Sequence, residues 1–168
     1  VIISDISAVE KLSFAEDDQL AYVTQTTLSV DDTKNIIQKL KQRYPNISGP
    51  DLKNICYATQ NRQSAARQMA QLVDLLLVIG ASNSSNSNRL RDIGIEMGKA
   101  SYLINDYKDI SLDWFQTVKN VGITAGASAP EKLVQEVVEF LKANFSTNIE
   151  HIQTIEENIH FNLPLELR

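Results

Sequence analysis

Six small polar residues in a row, Asn83-Ser84-Ser85-Asn86-Ser87-Asn88, separate an apolar run, Leu75-Leu76-Leu77-Val78-Ile79-Gly80, from a helical pattern that opens at Arg89-Leu90. The apolar run reads as a buried strand, so the polar residues sit where a strand ends and a helix begins. In α/β proteins ligands bind in the crevice beyond the carboxyl ends of the strands. Helix starts there present free N–H groups and partial positive charge to an anion. Hydroxyls and carboxamides add hydrogen bonds without bulk. Ser and Asn are also preferred N-caps, but one cap needs one residue, and six in succession point to a ligand loop.

Three further stretches have the same character: Thr24-Gln25-Thr26-Thr27, Thr59-Gln60-Asn61-Arg62, and Thr124-Ala125-Gly126-Ala127-Ser128-Ala129-Pro130. Each alone has an ordinary explanation. Thr26 and Thr27 can close a strand as β-branched residues, Asn61 or Ser64 can cap a helix, and Ser128 can cap the helix that Pro130 opens. Taken together they imply a small, polar, anionic ligand such as a phosphate or diphosphate. Gly126 allows close approach of backbone. Neither a GxGxxG fingerprint nor a GKS/T phosphate loop occurs. The single cysteine, Cys56, is by itself a buried small hydrophobe, a nucleophile or a metal ligand. One thiol alone does not hold an iron–sulfur cluster, which takes three or four. His151 and His160 lie in a polar tail and read as solvated, and Asp31 and Asp32 suit the first turn of a helix.

The elements that must position these residues recur as strand, polar loop and amphipathic helix. Strands are expected at Val1–Ser4, Ala21–Gln25, Asn54–Ala58, Leu75–Ile79, Ala100–Ile104 and Val121–Thr124. The helices expected after them cover Asp5–Leu12, Ser29–Tyr44, Arg62–Val73, Ser87–Gly98, Ser111–Val118 and Pro130–Lys142. Ser29 with Asp32 forms a start resembling a capping box. Ile36, Ile37 and Leu40 make one apolar stripe, and Leu133, Val134, Val137, Val138 and Leu141 another. Such alternation predicts an α/β fold of repeated β-loop-α units with parallel sheets: one complete small Rossmann-like domain plus part of a second. The Pro/Gly-rich segment Tyr44 to Pro50 marks a boundary near Leu52. After Ala143 the helical period ends, and Asn158 to Leu163 alternates like an edge strand.

The bulk properties narrow the class. With 168 residues, 43% hydrophobic and 22% charged, the composition is globular. No apolar run approaches the roughly 20 residues of a membrane helix. A net charge of −5 argues against nucleic-acid binding, which needs a basic face. One cysteine, with no visible signal peptide, fits a reducing, cytoplasmic setting. The chain does not start with Met, as a fragment or processed product would not.

The segments Tyr22 to Thr33, Ile55 to Gln63, Asn83 to Leu90 and Thr124 to Pro130, in that order, resemble the 4-hydroxy-3-methylbut-2-enyl diphosphate reductases, and Glu156-Glu157-Asn158-Ile159 in the tail is similar too. The resemblance covers nearly the whole chain. It implies an iron–sulfur oxidoreductase of the methylerythritol phosphate route to isoprenoids, with three α/β domains around a 4Fe–4S cluster held by three cysteines. Cys56 corresponds to the last of these. Thr26, Ser84, Ser85, Asn86 and Ser128 correspond to residues that hold the substrate, chiefly its diphosphate, and Thr59 to a polar residue of the pocket. Ferredoxin or flavodoxin is the implied electron donor. The implied domains are 1–52, the C-terminal part of the middle domain; 53–142, a complete C-terminal domain; and 143–168, a tail packing on the first domain. The first domain, the two other cysteines and the proton-donating Glu have no counterpart here, so the chain by itself is expected to be inactive. The alternative is a non-enzymatic phosphate-binding α/β module.

Overall fold

The computed structural model describes residues 1–15, 17–25, 27, 30–50 and 57–152. Its centre is a three-stranded parallel sheet in the order β2-β1-β3, with β1 at Leu75–Ile79, β2 at Ala100–Ile104 and β3 at Val121–Ala125. The register runs from Leu75 opposite Ala100 and Val121 to Ile79 opposite Ile104 and Ala125. Every residue of β1 is buried, as expected of a central parallel strand covered on both faces.

Successive β1 side chains point to opposite faces, and each face has its own cover. Leu75, Leu77 and Ile79 pack with Ile104, Ile110, Phe115, and with Val137 and Leu141 of α5 (Glu131–Asn144). Leu76 and Val78 pack with Ala66 of α3 (Tyr57–Leu72) and with Leu90 and Ile93 of α4 (Ser85–Glu96). The result is three layers, α3 and α4 on one side and α5 on the other. Gly98, at φ 73, lies just beyond the end of α4, where the left-handed conformation costs glycine little. Two short 3-10 turns, Tyr107–Asp109 and Leu112–Phe115, join β2 to β3, and Trp114 stacks on Tyr102 at 3.8 Å. Residues 1–50 contribute α1 (Ile6–Glu10) and α2 (Val30–Arg43), which bury a smaller cluster of Val9, Leu12 and Leu40. Among the described residues no helix is long and apolar enough to cross a membrane.

The expected strands at Leu75, Ala100 and Val121, and the long helices after α1, occur with small shifts at their ends except at the start of α3. Other expectations are corrected. Val1–Ser4 forms no strand and pairs with nothing described, and Val1 and Ile2 are each 95% exposed. Of Ala21–Gln25 only Ala21 pairs, in a single parallel bridge to Ser48. β-Propensity reflects fit to a pleated surface rather than a backbone preference, and neither segment is offered such a surface. Of the strand expected at Asn54–Ala58, the first three residues lie outside the described ones, while Tyr57 and Ala58 are helical. The buried residues Thr59, Gln63, Ala66 and Ala70 explain why: they recur at helical spacing and extend α3 forward from the Arg62 start. The helix expected at Ser111–Val118 is only a 3-10 turn. The expected Ser29 cap and the tail strand at Asn158–Leu163 lie outside the described residues.

Candidate functional site

β1 and β3 are neighbours, yet the helices that follow them, α4 and α5, cover opposite faces of the sheet. Between the carboxyl ends of such strands a crevice opens, the favoured ligand position of an open α/β sheet. The loop after β1 supplies Gly80 to Ser84, and the loop after β3 supplies Gly126 to Pro130. Each strand extends by one ladder bond beyond its end, Gly80 N–H to Ile104 C=O at 2.9 Å and Gly126 N–H to Ile79 C=O at 2.8 Å. α3 runs back along the sheet to feed β1, so its N-terminus lies at this same edge. The starts of α3, α4 and α5, with their partial positive charge, therefore share the edge.

The polar run is not a loop throughout. Ser84 is the N-cap of α4, and Ser85 through Asn88 form its first turn, which corrects the start expected at Ser87. The Ser84 hydroxyl accepts a hydrogen bond from the Ser87 N–H at 3.3 Å. Asn88 turns back so that its Nδ2 donates to Ser82 C=O at 2.7 Å and Ser84 C=O at 2.9 Å, fixing the approach to the helix. Ser87 is fully buried. Its hydroxyl fills the gap between Gly80 and Gly126, and a Cβ on either glycine would overlap it. The first turn of α4 is thereby wedged against the ends of both strands. The sequence assigned Gly126 to close approach of backbone toward a ligand; in the structure the atom that approaches it is the Ser87 hydroxyl oxygen.

Asn86, one position earlier, is 6% exposed, and neither its Oδ1 nor its Nδ2 has a hydrogen-bond partner among the described residues. Buried carboxamides are nearly always satisfied, and leaving such groups unpaired costs about 1–3 kcal/mol. Ser84 is half-buried, while Ser85 and Ser128 are exposed at their helix starts. Ser128 does not cap α5; Pro130 holds the cap position, and no side chain caps that helix. Its first N–H groups are thus left to solvent or ligand. Thr59 is 4% exposed in the first turn of α3, which packs on α4. Asn105 and Asp109 close the loop after β2: Asp109 accepts from the Asn105 N–H at 2.7 Å and from its Nδ2 at 3.0 Å. Those two bonds, the backbone one foremost, hold the Asp109 carboxyl below the usual carboxylate range.

The structure thus gathers Ser84, Ser85, Asn86 and Ser128 at the carboxyl edge of the sheet, with Thr59 at the same edge. Thr26 and Cys56 lie outside the described residues. The Thr27 hydroxyl oxygen is buried without a partner among the described residues. His151 is exposed, and His160 lies outside the described residues. The described residues bring no three His, Cys, Asp or Glu side chains together. Ser87 and Asn88 were legible in the sequence only as members of the polar run. The Ser84-x-x-Ser87 spacing, cap to third helical residue, was the signal that could have singled Ser87 out.

Residues 1–142 match the sequence profile of the LytB protein family. Over 168 residues the chain is 49% identical to the 4-hydroxy-3-methylbut-2-enyl diphosphate reductase of Ehrlichia ruminantium, covering 100% of this chain and 51% of that protein. It is 53% identical to reductase 1 of Rhodopseudomonas palustris, covering 99% and 55%. The solved structure of the E-1-hydroxy-2-methyl-but-2-enyl-4-diphosphate reductase from Plasmodium falciparum superposes with a TM-score of 0.77 at 37% identity, over 84% of this chain and 45% of that one. The chain therefore spans about half the length of the curated relatives it matches. With a parallel α/β sheet, polar loops at its switch point and a profile match along most of its length, the chain belongs to the LytB family.

Proposed function

We propose that this chain supplies the diphosphate-binding part of a 4-hydroxy-3-methylbut-2-enyl diphosphate reductase. The reaction adds two electrons and two protons to the allylic diphosphate and releases water, giving isopentenyl and dimethylallyl diphosphate. The buried carboxamide of Asn86, unpartnered among the described residues, carries the reading, because an unpaired buried amide is costly and an anionic ligand at this sheet edge would satisfy it. Ser84, Ser85 and Ser128 give hydroxyl donors beside it, Thr26 adds one from the N-terminal segment, and Thr59 borders the pocket. The helix starts of α4 and α5 complement the negative charge. These contacts lie on the non-reacting end of the substrate. Their work is orientation, in which binding energy remote from the reacting carbon holds that carbon in place.

A 4Fe–4S cluster does not fit these residues alone. The chain has one cysteine, and such clusters take three or four thiolates. Cys56 is proposed as one ligand of a cluster completed by cysteines outside this sequence, reduced by ferredoxin or flavodoxin. The proton-donating Glu is likewise assigned outside it, and the isolated chain is accordingly inactive. The proposed domain limits are 1–52, 53–142 and 143–168.

Titration of the chain with inorganic diphosphate in a calorimeter tests the reading. The wild type binds, and Asn86→Ala weakens binding by about 1–3 kcal/mol. Without diphosphate the same variant melts no lower than the wild type, since it loses two unpaired polar atoms. Unchanged affinity together with a lower melting temperature would make Asn86 a structural residue and remove the argument.

A further inference from the structure

Ser87 and Ser84 form a hydroxyl pair whose polarity the surroundings decide. Ser87 is fully buried and cannot reach solvent. Gly80 and Gly126 bracket its hydroxyl so closely that a Cβ on either would overlap it. Within that slot the Ser87 hydroxyl donates to Ser84 Oγ at 3.1 Å. The opposite polarity would leave a buried proton donor without an acceptor, which is costly. The Ser87 backbone N–H donates to the same oxygen at 3.3 Å. A serine oxygen has two lone pairs, and here both are engaged. The remaining capacity of half-buried Ser84 is its own O–H, which can only donate.

We infer that Ser87 is a positioning residue that fixes Ser84 as a hydrogen-bond donor toward an anionic oxygen in the crevice, an inference that rests on the proposed diphosphate site. An unconstrained hydroxyl in water both donates and accepts, and turned the wrong way its lone pairs repel an anion. A hydroxyl whose lone pairs are already filled is pre-organised for phosphate oxygens, so less is lost on binding. Ser87 does this without touching the ligand, since no part of it is exposed. The Gly80–Ser87–Gly126 packing is what keeps its hydroxyl from rotating away.

A double-mutant cycle on the full chain, with inorganic diphosphate as the probe in calorimetry, tests this. Ser87→Ala lowers affinity by about three- to tenfold in the wild-type background, the loss of one pre-organised hydrogen bond. In a Ser84→Ala background the same change costs less than about twofold, because the group through which Ser87 acts is gone. Ser87→Cys, close in size but a weak donor, falls between wild type and Ser87→Ala and carries the cycle if the alanine variant fails to fold. A purely structural serine would weaken binding by the same factor in both backgrounds, and that result, or no loss in either, overturns the inference while leaving the diphosphate site standing. No binding by the wild type overturns the site itself and the inference with it.

Discussion

Asp74 shows how a single exposed side chain shapes this fold. Its Oδ2 accepts the backbone N–H groups of Lys119 and Asn120, both at 2.9 Å, tying the entry of β1 to the entry of β3. These bonds, Asn120 first and then Lys119, hold its carboxyl below the usual carboxylate range. A carboxylate whose pKa is depressed by folding stabilises the folded state above its unfolded-state pKa, and that contribution is lost as pH falls through the folded-state value. The window therefore opens below about pH 4, the ordinary Asp range. Asp74→Ala is expected to be less stable than wild type at neutral pH and to approach it as the pH falls below the ordinary Asp range of about 4 and through the lowered folded-state value. Urea unfolding at neutral and acid pH reads the difference, and a gap that does not shrink on acidification would count against the assignment. Asn86, by contrast, was visible in the sequence only as one polar residue among six; its burial and its missing partners required the helix start to be placed.

At the scale of elements, the wedge of α4 between β1 and β3 explains two glycines at once. A Cβ on Gly126 would overlap Ser87 Oγ but would sit 3.4 Å from Ser87 Cβ, whereas a Cβ on Gly80 would lie 2.7 Å from Ser87 Cβ as well. Overpacking of a fitted site costs about 1–3 kcal/mol. Gly126→Ala and Gly80→Ala are thus both expected to destabilise the chain. Adding Ser87→Ala should restore most of the loss in Gly126→Ala and little of it in Gly80→Ala. Thermal melts of the four variants distinguish these outcomes, and equal rescue at both glycines would mean that the contact geometry is wrong. The two stabilities probe a contact between elements that lie far apart along the chain.

At the scale of the whole molecule, buried apolar residues are unevenly shared. The sheet and its three helices bury two clusters built on the wholly buried β1, while the described part of residues 1–50 buries just the small cluster of Val9, Leu12 and Leu40, together with Ile37. Val1, Ile2 and Val23 stay more than nine-tenths exposed, and the parallel pairing there amounts to the Ala21–Ser48 bridge. Opening free energies within a protein follow local buried contact. Amide exchange is therefore expected to be faster in residues 1–50 than in β1, β3 and α4. Exchange equally slow in both parts, on a monomer by light scattering, would set aside the proposed boundary near residue 52.

What the sequence determined by itself was whatever has a local period or a local chemical demand. An unbroken apolar run could only be a strand buried on both faces, and β1 is one. The stripe from Leu133 to Leu141 fixed α5, and strand–helix alternation fixed the parallel sheet. The quoted loops carried the family resemblance. Tertiary structure decided the rest. Val1–Ser4 has strand composition and no strand beside it, because a ladder needs a neighbour that composition does not supply. Tyr57 and Ala58 became helical because burial of Thr59, Gln63, Ala66 and Ala70 along one helix face, with Ala66 packed on α4 and the sheet, outweighed β-propensity. Ser87 gained its place only when Gly80 and Gly126, separate in sequence, met around it. Periodicity is written along the chain, but pairing and close approach depend on what folding brings alongside.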